Sequence, residues 1–204
     1  MALNSSDQPP VPGFRELTDP RAMRALTHPV RLALLEALLL EGPLTATRAG
    51  EIIGESPTTC SFHFRQLAKY GFVEEAGGGP GRLRPWRLSM RGMRFTDLHD
   101  DPETAVAARG LERMLRDRFL DHLQAFYDNR SSYPREWQEV TGGSEFIVHV
   151  TSAELRALDE KITALLRSYS DRLDDPDQRP PGSLPVEVVL FGYPLRMPGK
   201  EAAT

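Results

Sequence analysis

The chain has 204 residues, 40% of them hydrophobic and 26% charged, with a net charge of −4; such a composition fits one large or two small globular domains and excludes a disordered or fibrous protein. The single cysteine, Cys60, excludes a disulfide framework and a Cys-rich zinc finger. No apolar run approaches the ~20 residues of a membrane span, and the N-terminus lacks the basic and apolar regions of a signal peptide, so a cytoplasmic protein is expected.

Residues 1–18 read as a flexible tail, rich in proline and small polar residues, with ordered chain expected from about Phe14. Asp19-Pro20 supplies an N-cap and a first-turn proline for a short helix through Leu26. Thr27-His28-Pro29 repeats the device, and Leu32, Leu35, Leu38 and Leu39 give a helical apolar face that Gly42-Pro43 ends. Thr45 opens a third helix that stops at Gly54, and Ser56-Pro57 opens a fourth that runs to Tyr70 and closes at Gly71. Phe72 to Glu75 then reads as a strand, Gly77 to Gly81 as a turn, and Arg82 to Ser89 as the returning strand. Helices followed by a hairpin, with a short turn before the last helix, spell a winged helix-turn-helix over residues 19–96.

Beyond it, Asp101-Pro102 opens a long helix to about Asn129, striped by Leu111, Leu115, Phe119, Leu123 and Phe126. A polar loop to Ser144, a strand from Glu145 to Val150, a helix opened by the capping-box spacing of Thr151 and Glu154, an Asp/Pro-rich loop and a last strand from Val186 to Phe191 follow. The expected fold class is mainly α with small β elements: the N-terminal winged helix-turn-helix, and an α+β region at 97–204 serving dimerisation and effector sensing.

Charge divides along the same line. Residues 19–96 carry eleven Lys/Arg against seven Asp/Glu, whereas 97–204 carry thirteen against twenty, so a basic module precedes an acidic one. On a wheel of about 100° per residue, Cys60, Phe64 and Leu67 share the inner face of the fourth helix. Thr58, Phe62, Arg65 and Lys69 point outward, flanked by Thr59, Ser61 and Gln66. Hydroxyls, an amide and cations on the face of an anchored helix suit phosphates and base edges in a major groove, and the Phe62 ring suits a thymine methyl. Arg82 and Arg84 beside the glycine-rich turn suit the DNA backbone or minor groove.

Two linked stretches carry a family resemblance: His28-Pro29-Val30-Arg31-Leu32, and Ser61-Phe62-His63-Phe64-Arg65-Gln66-Leu67 with Gly71-Phe72-Val73. They resemble the ArsR-type regulators' HPxR and S-x-H-L-x-x-L-x-x-x-G-L-V patterns, with Phe64 and Phe72 where leucine is usual. The resemblance covers residues 19–90 and implies a homodimer that binds a pseudo-palindromic operator in double-stranded DNA, usually as a repressor. The thiol pair of the family's arsenic and cadmium sensors is missing at Glu51-Ile52-Ile53, and Cys60 with His63 offers too few ligands for a metal.

No GxSxG, HExxH or Walker sequence occurs, so neither catalysis nor a cofactor is expected. The expected function is therefore a sequence-specific DNA-binding transcriptional regulator, with a winged-helix protein–protein adaptor as the alternative. The stripe at Leu111, Leu115, Phe119, Leu123 and Phe126 is expected at the dimer interface, and Tyr133, Trp137 and Tyr169 beside an organic effector.

Overall fold

The computed structural model describes residues 14–77, 84–90, 92–94, 98–174 and 176–196. The elements are β1 (Phe14–Glu16), α1 (Pro20–Leu26), α2 (Pro29–Glu41), α3 (Ala46–Ile53), α4 (Pro57–Lys69), β2 (Val73–Glu75), β3 (Trp86–Leu88), β4 (Gly92–Arg94), α5 (Pro102–Asn129), α6 (Arg135–Val140), α7 (Ser152–Arg167) and α8 (Asp171–Asp174). Helix is the dominant structure, and α1 to β3 form a winged helix-turn-helix.

The helix starts are built as their sequences dictate. The side chains of Asp19, Thr45, Ser56 and Asp101 each accept a hydrogen bond from a first-turn amide, and Thr151 and Glu154 form a reciprocal capping box. Proline follows the cap in α1, α2, α4 and α5, where its missing N–H is no loss.

One core runs from Leu17 to Leu111. Met23 and Leu26 of α1, Leu34 and Leu38 of α2, Ala49 of α3, Phe64 and Leu67 of α4, and Phe72 with Val73 at the wing meet in it. It extends past residue 96, since Ala107, Ala108 and Leu111 of α5 are part of it and α1 packs on α5. The wing is tied to this core twice. Leu44 exchanges backbone hydrogen bonds with Trp86 at 2.9 and 2.7 Å, adding a third extended segment beside β3, and the Trp86 ring stacks 5.5 Å from Phe64. Within the antiparallel β2–β3 pair, Glu74 lies opposite Arg87 and bonds to it at 2.7 Å. A pairing that the sequence reading missed joins β1 and β4 in parallel, Arg15 facing Met93.

Four expectations are corrected. Leu111 is fully buried within its own chain, so it is core rather than interface, and Leu115 packs partly against the same core. The segments 145–150 and 186–191, expected as strands, are described but form no ladder with described residues, because a strand without a hydrogen-bonded neighbour has nothing to define it. The loop after α5 contains α6, which follows Pro134. Finally, the loop after α7 holds α8 and a 3-10 turn at Pro176–Gln178.

Further along α5, Arg118 pairs with Glu36 of α2. His122 stands between Glu36 at 3.4 Å and Glu187 at 3.2 Å, joining α2, α5 and the C-terminal segment, while Phe119 lies 5.5 Å from Phe191. Arg24 and Glu103 close a further bridge between α1 and α5 at 2.6 Å.

The α3–α4 turn is the tightest joint. Gly54 ends α3 in the left-handed region at φ 73°, which favours glycine, and the Glu55 amide bonds back to the Gly50 carbonyl at 3.0 Å. A Cβ at Gly50 would sit 2.5 Å from the Glu55 carbonyl oxygen, a backbone atom that cannot swing away. Gly50→Ala should therefore lower stability by about 1–3 kcal/mol, read as a shift of the urea midpoint, and an unchanged midpoint would show that the turn opens freely.

Candidate nucleic-acid interface

The inner face of α4 is dry. Cys60, Phe64 and Leu67 are fully buried, as the wheel places them, and burial, reinforced by Glu55, pushes the Cys60 thiol upward. His63 joins them at 7% exposure. Its Nδ1 accepts a 3.4 Å hydrogen bond from Arg31 Nε, and its ring lies 4.5 Å from His28 and 5.2 Å, edge-on, from Phe62. Arg31 also donates to the Ala25 carbonyl at 2.7 Å, so one guanidinium ties the end of α1 and the start of α2 to the middle of α4.

On the opposite face Thr58, Phe62, Arg65 and Lys69 are exposed and Thr59, Ser61 and Gln66 half-buried. Phe62 is 52% exposed, a large apolar side chain that the chain's own fold leaves uncovered. Arg65 folds back onto Ser61, donating to its carbonyl and hydroxyl at 3.2 Å. Thr59 shares a 2.8 Å hydrogen bond with the capping Ser56 hydroxyl, and Lys69 lies over the Tyr70 ring. On the wing, Arg84 pairs with Glu75 at 2.8 Å and stays largely exposed; Arg82 lies outside the described residues. All these polar groups make exposed or local contacts that a ligand can replace at small cost.

A feature absent from the sequence reading is a recess of about 230 Å³ lined by Arg21, Arg24, Ala25, Arg31, Gln66 and Tyr70. It draws three arginines from the α1–α2 corner to the flank of α4. The i,i+3 spacing of Arg21 and Arg24 puts those two on one face of α1, and the packing of α1, α2 and α4 adds Arg31, Gln66 and Tyr70. Among the described residues no group of three or more His, Cys, Asp or Glu is arranged to hold a metal ion, and no helix is long and apolar enough to cross a membrane.

At the far end of α5 the expected aromatic cluster assembles only in part. Tyr133 lies 5.5 Å from Phe126, whereas Tyr169 is exposed and stacks with Arg172 at 4.9 Å.

The family model of a helix-turn-helix domain matches residues 26–76, from the end of α1 through β2. Among curated proteins none matches the chain. Solved structures with a partial likeness include a MarR family transcription regulator, at 17% identity over 76% of this chain and 79% of that one, with a TM-score of 0.33. Another is a transcriptional regulator from Thermotoga maritima, at 12% identity over 72% and 85%, TM-score 0.29. ZitR of Lactococcus lactis in complex with DNA shows 15% identity over 79% and 82%, TM-score 0.26.

The buried histidine makes the domain sensitive to acid. Burial first, then His28 and Arg31, depress the His63 pKa in the folded state. The unfolded chain, with a histidine pKa of about 6.5, takes up the proton first. This contribution to stability is thus whole above that pH and is lost as the pH falls below it. The unfolding free energy should decline between pH 7 and 5, and His63→Gln should flatten that part of the profile measured by urea titration; a profile that keeps its slope would place the titrating group elsewhere.

Proposed function

We propose that the protein is a sequence-specific DNA-binding transcriptional regulator that acts as a homodimer, with residues 19–96 as its DNA-binding unit and the rest serving assembly and sensing. The observation that carries this reading is the division of α4. Its inner face is locked into the core of a matched helix-turn-helix domain, while its outer face presents hydroxyls, cations and an uncovered aromatic ring. Thr58, Thr59, Ser61, Phe62, Arg65, Gln66 and Lys69 are the groove-facing set, and Arg82 and Arg84 follow the backbone from the wing. The arginine-lined recess beside Gln66 suits a backbone phosphate. The HPxR pattern at His28 to Arg31, here a structural tie to His63, supports an ArsR-type affiliation and, with it, repression.

Pairing uses α5. Leu120, Leu123 and Tyr127 are each more than 40% exposed and lie on one face, rotated from the Leu111–Leu115 side that the core takes. Of the stripe expected from sequence, Leu123 belongs to this open face, while Phe119 and Phe126 lie at its border in ring contacts within the chain. A two-fold contact there sets two α4 helices on successive major-groove faces of one duplex. An organic effector near Tyr133 and Trp137 would act by shifting that spacing.

Arg65→Ala should cost about 1–3 kcal/mol in binding to the specific duplex and little for a scrambled one, measured by fluorescence anisotropy at fixed salt. Equal losses on both would make Arg65 a phosphate contact rather than a reader of bases. Replacing Arg82 and Arg84 together by alanine should instead weaken both duplexes by similar factors and make the salt dependence shallower; an unchanged slope would take the wing off the backbone. Leu120→Glu with Leu123→Glu should halve the particle mass in light scattering and abolish tight operator binding, and a double variant that stays dimeric would remove α5 from the interface.

A further inference from the structure

From Glu112 to Arg196 no described residue is buried, and α7, with 16 residues and a complete capping box, buries none of its side chains. Two described segments flanking α7 carry large exposed apolar side chains. Phe146 is 84% exposed and Ile147 70% in the first, Val186 58% and Phe191 60% in the second. Both are runs of β-branched and aromatic residues, the composition that fills strands, and both leave a row of backbone donors and acceptors outside any ladder among the described residues. Neither pairs with the other, although the intervening chain is long enough for a crossover.

We propose that residues 145–150 and 186–191 are the strands of a sheet that closes only between two copies of this chain. The inference rests on the homodimeric reading above and names the part of each copy that completes the other. Three observations select a second copy as the occupant. First, the exposed apolar side chains of the two segments, α5 and α7 together suffice for the ~800 Å² per partner that a stable interface needs. Second, the second segment is held along α5 by the Phe119–Phe191 ring contact and the His122–Glu187 pair, so it continues the open α5 face at Leu120, Leu123 and Tyr127. Third, this half of the chain carries thirteen basic against twenty acidic residues, which disfavours DNA or an anionic lipid surface there. A two-fold axis lets each copy's exposed edges satisfy the other's, with α7 laying its exposed Leu158, Leu165 and Leu166 over the sheet.

The test is hydrogen–deuterium exchange of the full-length protein over a dilution series, with light scattering at each concentration. Amides within 146–150 and 187–191 should exchange on the order of a hundredfold more slowly where the protein is dimeric than where it has dissociated. Val189→Pro, which removes one ladder donor, should abolish that protection in both segments while α2 and α4 keep theirs. Fast exchange of both segments in a protein that scatters as a dimer would overturn the intermolecular sheet and leave the dimeric regulator standing. Slow exchange that persists in the monomer would overturn it in favour of a sheet within one chain. A protein that stays monomeric with fast exchange at every concentration would overturn both.

Discussion

The burial of one side of α4 is the constraint on which the rest of the N-terminal structure depends. Cys60, His63, Phe64 and Leu67 occupy a little more than a quarter of the helix circumference, and each additional contact fixes the rotation of that face. Phe64 carries Trp86 and through it the wing; His63 carries Arg31 and through it the α1–α2 corner. The outer face has no freedom of its own. Its direction is set by what the inner face touches, and this is why exposed groups held by weak local contacts can still be presented in one orientation.

The acidic half follows a different logic. Its helices form because local chemistry suffices: Asp101 and Thr151 cap, prolines start, and no glycine or proline interrupts until the register is established, save for Gly110 early in α5. Local chemistry does not bury apolar side chains, and α7 keeps every one of its residues at least partly exposed. Hydrophobic burial is what offsets the entropy of ordering a chain, and the described residues from Glu112 onward supply little of it among themselves.

How much of this was legible in the sequence depends on whether a feature is local. The starts and stops of α1 to α4, α5 and α7 stand in the text as Asp-Pro, Ser-Pro, a capping box and Gly54, and the inner face of α4 follows from helical spacing alone. The stripe on α5 was legible as a stripe, but not which part of it the chain would use: Leu111 enters the core because α1 lies there, a fact of tertiary packing. Strands were least legible. The three-residue β1 and β4 are too short for a period, and the alternation in 145–150 and 186–191 describes an ability to pair without naming a partner. The Arg21–Arg24–Arg31 recess was not read for the same reason, since Arg31 and Gln66 join the Arg21–Arg24 face only when α1, α2 and α4 pack together.

The pairing of Arg118 with Glu36 has a mechanical consequence for α5. A helix attached at one end pivots, but one attached twice is a strut, and α5 is fixed first where Leu111 enters the core and again two turns later at Glu36 of α2. Its remaining length, from Leu111 to Asn129, projects about 27 Å at 1.5 Å per residue. Without the second attachment a swing of about 10° at the base would displace the tip by about 5 Å, comparable to one turn of helix. With it, the orientation of the far end of α5 is registered directly against α2, the helix on whose back α4 is mounted.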